Sequence, residues 1–313
     1  MAGDVVLVTG AGGCIAAWVM KELDERGARV IGFDLSDSRR RARLAMEEAA
    51  VSRIVWETGD IADGERLRAI AEAHGVTAIV HLAALQVPFC KADPVAGAKV
   101  NVLGTVNVLE TARRLGLKRL TYASSIAIQG MTPDSPWLAT LYGAHKACCE
   151  AMAGVYWQDW QVPSIGIRPG VVYGPARDQG MSAAPTFAML AAALGKSYEV
   201  PFTGPFPFLY VREAAAAFVR AVAEDRSGAE VFDLNGIGST IEHVLDLIRA
   251  ARPDAELGAR GAPFPFPAEL SDEPLRHAIG AYDRWDLEAG VGETLGLFGD
   301  LVAAGRLGAA DLP

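Results

Sequence analysis

The stretch TGAGGCIA, Thr9 to Ala16, constrains this chain more than any other, because it lies between an apolar run and a helical segment. Val5-Val6-Leu7-Val8 is apolar and mostly β-branched, which suits a parallel strand buried on both faces. Gly10 and Gly13 then remove Cβ atoms where the backbone must bend sharply and approach a ligand. Residues 14 to 26 read as a helix whose free N–H groups point at that turn, and such a helix start attracts phosphate. The spacing Gly10-x-x-Gly13-x-x-Ala16 differs from the commonest dinucleotide fingerprint, Gly-x-Gly-x-x-Gly, yet a small third residue still permits close helix-to-strand packing. Taken alone, the turn is equally a Gly-rich joint between a strand and a helix. A second buried strand, Val30-Ile31-Gly32-Phe33-Asp34, shifts the balance. It ends in an acid at the distance where a carboxylate accepts hydrogen bonds from an adenosine ribose diol and repels a 2′-phosphate.

The same alternation continues down the chain. Residues 37 to 50 read as a helix, Arg53-Ile54-Val55-Trp56 as a third strand leading to Gly59-Asp60-Ile61, and 63 to 73 as another helix. Ala78-Ile79-Val80-His81-Leu82 is a fourth strand running into Ala83-Ala84, whose small side chains let a flat ligand lie against them. His81 has no carboxylate or cysteine cluster beside it, so it reads as a hydrogen-bonded core histidine. One helix is expected over 94 to 115, with Val100, Leu103, Val106 and Leu109 at helical spacing, and then a fifth strand, Lys118 to Ala123. Strand and helix in strict alternation imply a doubly wound parallel sheet whose ligands gather beyond the carboxyl ends of its strands.

Three residue types on that edge carry chemistry. Ser124-Ser125 closes the fifth strand, and after a Pro-rich loop Tyr142 and Lys146 fall four apart on a helix running to about Trp160. Four residues are close to one turn, so both side chains share a face. An ammonium beside a phenol favours the phenolate and suits the phenol to general acid or base work. A sixth strand, Ser164 to Arg168, leads into Pro169-Gly170-Val171-Val172-Tyr173-Gly174-Pro175. Beyond it the composition shifts to Pro, Phe and Gly: Ala176 to Pro207 and Arg252 to Leu275 read as loops and short elements of a second, substrate-facing lobe. Between them Leu209-Tyr210-Val211, a helix over 212 to 223, the strand Val231 to Leu234 and a helix from Thr240 to Ala251 are expected to pack back toward the main sheet, and a last helix spans about 292 to 305.

Composition narrows the classes of partner. A net charge of −9 gives no global positive field to draw a nucleic acid, and the one basic run, Arg39-Arg40-Arg41 with Arg43, reads as a solvated helix face. The four cysteines, Cys14, Cys90, Cys148 and Cys149, have no metal-ligand spacing, so no metal site is expected and a reducing compartment fits. No run of about 18 uncharged apolar residues suggests a membrane span, and the N-terminus enters a strand at once, so a cytoplasmic protein is expected.

Assembled, these residues resemble the extended short-chain dehydrogenase/reductase family, the NAD-dependent epimerase/dehydratase type, over essentially the full length. TGAGGCIA is similar to the family's TGxxGxxG turn, with Gly10, Gly13, Cys14 and Ile15 at the cofactor and Ala16 replacing the last glycine. Asp34 matches the acid after the second strand, Asp60-Ile61 the adenine segment, Leu82-Ala83-Ala84 the strand-four motif, and Asn101 a cofactor-binding asparagine. Tyr142-x-x-x-Lys146 matches the catalytic pair, Ser125, counted back from Gly130, the substrate-bonding hydroxyl, and Pro169 with Val172 the segment beside nicotinamide. The resemblance implies an α/β protein: a Rossmann-type NAD-binding domain over 1–172, with 209–251 packing back on it, and a small C-terminal substrate domain within 173–313. It also implies catalysis by Tyr142, Lys146 and Ser125, NAD as cofactor, and a homodimer through the helices near 94–115 and 140–160, with Val155, Tyr156 and Trp160 as apolar contacts.

The departures bear on substrate. Nucleotide-sugar epimerases typically carry an arginine for the substrate diphosphate where this chain has Phe206. An NAD-dependent dehydrogenase acting on a secondary alcohol of a small polar substrate, a free sugar or sugar acid, is therefore the first expectation. An epimerase or dehydratase with retained NAD is the alternative, and a non-catalytic NAD sensor a third class. Substrate contacts are expected from Gln86, Ser125, Tyr142 and Arg177, facing an apolar wall from a loop over Thr203 to Tyr210 with Phe202, Phe206 and Phe208. Arg177 either clamps a substrate anion or pairs with Asp178 or Glu213.

Overall fold

A computed structural model describes Met1 to Pro313. Twelve strands are present: β1 (Val5–Thr9), β2 (Arg29–Asp34), β3 (Val55–Thr58), β4 (Ala78–His81), β5 (Leu120–Ala123), β6 (Ser164–Pro169), β7 (Val171–Tyr173), β8 (Tyr198–Val200), β9 (Pro205–Tyr210), β10 (Ala229–Leu234), β11 (Ile237–Thr240) and β12 (Leu257–Ala259). Seven form one sheet in the order β10-β6-β5-β4-β1-β2-β3, every neighbouring pair parallel.

Strand periodicity explains why helices cover both faces. Val6, Val8, Val30 and Val80 point to one layer with Trp18, Val19 and Leu23 of the helix Cys14–Glu25 and Phe218 of the helix Val211–Ala221. Leu7, Ile31 and Ile79 point to the other, with Leu67 and Ile70 of Gly64–His74 and Val108 and Leu109 of Gly104–Leu115. From β1 the chain winds outward to β3, then crosses back to β4 on the other side of β1, so a crevice opens between the ends of β1 and β4. Gly10, at the foot of that crevice, has φ +73°, and a Cβ there would lie 2.6 Å from the Ala83 backbone nitrogen.

The second lobe is built on the sheet β11-β9-β7 and the pair β12-β8. The return to the main sheet covers Val211 to Leu234, less than the expected 209–251. Ile237–Thr240 pairs antiparallel with β9, and the helix Ile241–Ala251 packs on the helix Leu287–Ala303. The segment expected as a loop over Thr203 to Tyr210 contains β9. Its Pro205 and Pro207 lie where β9 has β11 on one side and no strand on the other, so their missing N–H groups break no second ladder.

Elsewhere the boundaries move for identifiable reasons. The helix expected over 37–50 is two, Arg40–Ala45 and Glu48–Arg53, because Met46 turns extended and enters the core. The third strand therefore starts at Val55, after Arg53 has closed the second helix. The helix expected over 94–115 is interrupted by a π turn at Lys99–Leu103, and a separate helix, Val87–Ala92, precedes it. The last helix begins at Leu287, earlier than expected, capped by Asp286 accepting from the Ala289 N–H at 2.7 Å. No helix is long and apolar enough to cross a membrane.

Candidate active site

A cavity of about 510 Å³ opens along the carboxyl ends of β1, β2, β4, β5 and β6. Gly10, Gly13, Cys14, Ile15, Asp34, Asp60, Ile61, Leu82, Ala83, Ala84, Gln86, Ser125, Tyr142, Lys146, Pro169, Val172 and Arg177 all line it. Asn101 does not. It lies buried behind the wall inside the π turn, where its side chain accepts the Leu85 N–H at 2.8 Å and donates to the Leu85 carbonyl at 2.9 Å. Asn101 thus shapes the loop after β4 from behind the cavity wall, instead of lining the cavity as expected.

The proton-handling group is assembled from a strand end and a helix start. Thr140 caps the helix Leu141–Trp160 by accepting the Gly143 N–H at 2.9 Å, which fixes the first turn where Tyr142 sits. Lys146, one turn on, is 3% exposed, donates to the Ala123 carbonyl at 2.6 Å, and holds its ammonium 5.6 Å from the Tyr142 ring centroid. Ser125 accepts the Ala127 N–H at 3.1 Å, leaving its own O–H free to donate into the cavity. Behind it Ser124 is buried and donates to Glu150, whose carboxylate is gripped by the Arg168 fork at 2.7 and 2.6 Å. The Glu150 carboxylate beside it holds the Arg168 guanidinium above its ordinary range. Lys146 and Glu150, four apart on one helix, therefore bond Ala123 and Ser124 in turn and aim Ser125.

His81 is a satisfied core residue. Its Nδ1 is 2.7 Å from the Thr9 hydroxyl and its Nε2 3.1 Å from the Thr105 hydroxyl. Burial, aided by the Lys146 charge, pushes it down to about 3, so the ring is neutral and plays no acid role near neutrality.

The glycine turn fits a dinucleotide. The helix Cys14–Glu25 has no side-chain cap, so its first N–H groups face the cavity unfilled, and burial pushes the Cys14 thiol up to about 12, keeping it neutral there. Asp34 accepts the Gly12 N–H at 2.9 Å and the Leu35 N–H at 2.7 Å while lining the cavity where a ribose diol would reach it. The basic run is a solvated face only in part: Arg40 and Arg43 are exposed, whereas Arg39 and Arg41 turn inward. Arg41 lines the cavity and donates to the Gly12 carbonyl at 2.7 Å and to Asp178 at 2.8 Å, Arg40 bridges Asp178 and Asp311, and Arg39 lies over Trp56.

The outer wall also differs from expectation. Phe206 and Phe208 are buried in the second lobe, and Phe264 and Phe266 line the cavity instead. Phe264 packs on Phe206 with ring centroids 4.6 Å apart and on Phe202 at 5.2 Å, so the expected residues form the row behind the wall. Arg177 pairs with neither expected carboxylate: Asp178 is held by Arg40 and Arg41, and Glu213 is buried against Arg284. Phe264, Phe266 and Arg41 carry no sequence signal of their own beyond local richness in Phe and Pro or in Arg.

A dinucleotide held by Gly10, Gly13 and Asp34 would supply a hydride acceptor for a carbon bearing a hydroxyl. The phenol of Tyr142 is placed to exchange that hydroxyl's proton, Lys146 to support the phenolate, and Ser125 to donate to the reacting oxygen as charge grows on it.

The comparisons agree with this geometry. Residues 6–235 match the family model described as "NAD dependent epimerase/dehydratase family". The chain is 28% identical over 313 aligned residues to a UDP-glucose 4-epimerase of Mycolicibacterium smegmatis, covering 93% of this chain and 97% of that protein. It superposes on the Thermus thermophilus UDP-glucose 4-epimerase in complex with NAD with a TM-score of 0.77 and 25% identity, covering 94% and 98% of the two chains. The fold is likewise shared with the L-threonine dehydrogenase of Clostridium difficile, at a TM-score of 0.82, 20% identity and coverage of 96% and 99%. With the glycine turn, the acid of β2 and the Ser125, Tyr142 and Lys146 group in place, the chain belongs to the NAD-dependent epimerase/dehydratase family of extended short-chain dehydrogenases/reductases, enzymes that work with NAD.

Proposed function

We propose that this enzyme is a dehydrogenase that oxidises a secondary alcohol on a small polar substrate, a free sugar, sugar acid or similar compound, and releases NADH. The observation that carries the reading is the makeup of the outer wall. Phe264, Phe266, Met181, Gln86 and Gln179 line the cavity there, and its cations are Arg41, Lys146 and Arg177. Arg41 is bonded to Asp178 and Gly12, and Lys146 to Ala123, so neither is free for a second diphosphate. Phe206, standing where the resemblance expects an arginine, is closed into the core. A wall of this kind excludes water and offers amide hydrogen bonds to hydroxyls, and of the cavity's cations Arg177 alone is left for an anion, one too few to serve both a cofactor diphosphate and a nucleotide-sugar diphosphate.

The test is incubation with NAD and free sugars, aldonates, uronates and simple alcohols, with UDP-sugars alongside. NADH absorbance is expected to rise in proportion to alcohol consumed for one of the small substrates. Conversion without NADH release would place the enzyme among the epimerases or dehydratases, as the names of the full-length relatives suggest. Turnover of UDP-sugars alone would overturn the reading of the outer wall.

The four unpaired cysteines support a reducing compartment such as the cytoplasm. A homodimer is supported by the outer faces of the helices near 99–115 and 141–160, which expose Leu103, Val155 and Trp160, about half of the last two being open to solvent. Trp160 is stacked by Tyr156 and by Arg113, so the patch is already ordered for a partner. Sedimentation at micromolar concentration is expected to show twice the chain mass; a lone 33.1 kDa species would remove the dimer.

A further inference from the structure

We propose that Arg177 binds the diphosphate of the dinucleotide, and that residues 175–182 form a strap fixed over the glycine turn to hold it there. The strap is pinned on both sides of Arg177 to the elements that surround that turn. Before it, the Pro175 carbonyl accepts the Trp18 indole N–H at 3.0 Å, tying the strap to the helix Cys14–Glu25. After it, Asp178 is gripped by Arg40 and Arg41, and Arg41 in turn donates to the Gly12 carbonyl. Ala176, caught between the two anchors, adopts φ +75°, a left-handed conformation that residues other than glycine rarely take. Gly180, with φ +90°, lets the far side of the strap close against Gln86.

Within this strap the guanidinium of Arg177 is left incomplete. Its Nη2 donates to the Ser182 hydroxyl at 3.0 Å, its Nε is buried without a partner, and no carboxylate pairs with it. Desolvation lowers its affinity for a proton, and Cys14 is the group whose charge would offset this most, ahead of Tyr142 and Asp178. The Cys14 thiol is neutral, however, so it supplies no counter-charge. A cation that lines the cavity with its Nε buried and unpartnered, beside the first residue of an uncapped helix, calls for an anion that accepts from both, and a diphosphate has the charge and the oxygens to do so. This places Arg177 at the cofactor end of the cavity, in contrast to a clamp on a substrate carboxylate.

The test is calorimetric titration of the apoprotein with ADP-ribose, ADP and AMP, none of which requires hydride transfer, so it stands whatever the substrate proves to be. Wild type is expected to bind ADP-ribose and ADP more tightly than AMP. Arg177→Gln is expected to weaken ADP-ribose by about tenfold to a hundredfold, the range of a charge-assisted hydrogen bond, and to narrow the gap between ADP and AMP. Arg177→Lys, which keeps a cation, should recover part of the loss and serves in its place if the glutamine variant does not fold. Unchanged ADP-ribose affinity in both variants, with KM raised for an acidic substrate, would overturn the proposal in favour of a substrate clamp. Unchanged affinity for every ligand would reduce Arg177 to a structural role and overturn it equally.

Discussion

Tyr142→Phe is expected to lower kcat by about 10²–10⁴-fold while NAD affinity stays close to that of the native protein. The phenyl ring still fills the first turn of its helix, and Lys146 keeps its bond to the Ala123 carbonyl, so the cavity retains its shape. What disappears is the hydroxyl through which the proposed reaction would pass the substrate's proton. Steady-state rates with the alcohol found by the NADH screen, set beside calorimetric titration of NAD, separate the two effects. An undiminished kcat would remove Tyr142 from the chemistry altogether, and an equal loss in both measurements would make it a packing residue. Ser125→Ala should fall between, because it removes one hydrogen bond whose strength grows only as charge develops on the reacting oxygen, about 1.5–3 kcal/mol at most.

A comparably large effect is expected away from the reacting atoms. Glu150→Ala strips the Arg168 fork of its partner and leaves Ser124 without an acceptor, with the two charged side chains only 22% and 13% exposed. Removing one member of a buried pair costs about 3–5 kcal/mol, and the lower end applies because some solvent reaches this pair and Asp233 lies 3.6 Å from Arg168. Urea denaturation is the measurement. Glu150→Gln, which keeps the one oxygen that Ser124 and the Arg168 Nε share and loses the acceptor of the second fork bond, should lose less than the alanine variant and retain more of the activity that depends on the aim of Ser125. Equal stability of the alanine variant and the native chain would show that the fork contributes no net stabilisation.

Much of this site was legible because the residues that perform it sit where buried strands end. A parallel strand covered on both faces must be short and apolar, so Val5–Val8, Ile31–Phe33 and Ala78–Val80 announce themselves, and the next residue is at the carboxyl edge by necessity. Gly10, Asp34, Ala83 and Ser125 follow from that rule, and the helical turn brings Tyr142 and Lys146 together. The second lobe obeys no comparable rule. Phe264 and Phe266 reach the cavity from a segment without regular structure, by packing on Phe206 and Phe202 far away in sequence, and periodicity is silent about such contacts. The prolines of β9 suggested a loop because their tolerance depends on having a strand on one side only, a property of the sheet rather than of the chain. The seat of Asn101 behind the cavity wall was hidden for a similar reason: the π turn that draws it inward has no signature in local composition.

The wall formed by Phe264 and Phe266 has a consequence for how this scaffold can change. The glycine turn, Asp34, Ser125, Tyr142 and Lys146 are all anchored in the seven-stranded sheet or the helices packed on it. The aromatic wall instead arrives on one short segment that bonds to the other half through the Leu138 N–H donating to the Pro265 carbonyl at 3.2 Å and the Asn235 side chain donating to the Ala268 carbonyl at 2.9 Å. Insertions or exchanges between about residues 261 and 268 would alter what the cavity admits without disturbing the strand ends and the helix that carry Ser125, Tyr142 and Lys146. New selectivities are therefore open to this chain by exchange of one peripheral module, while the reaction itself is inherited intact.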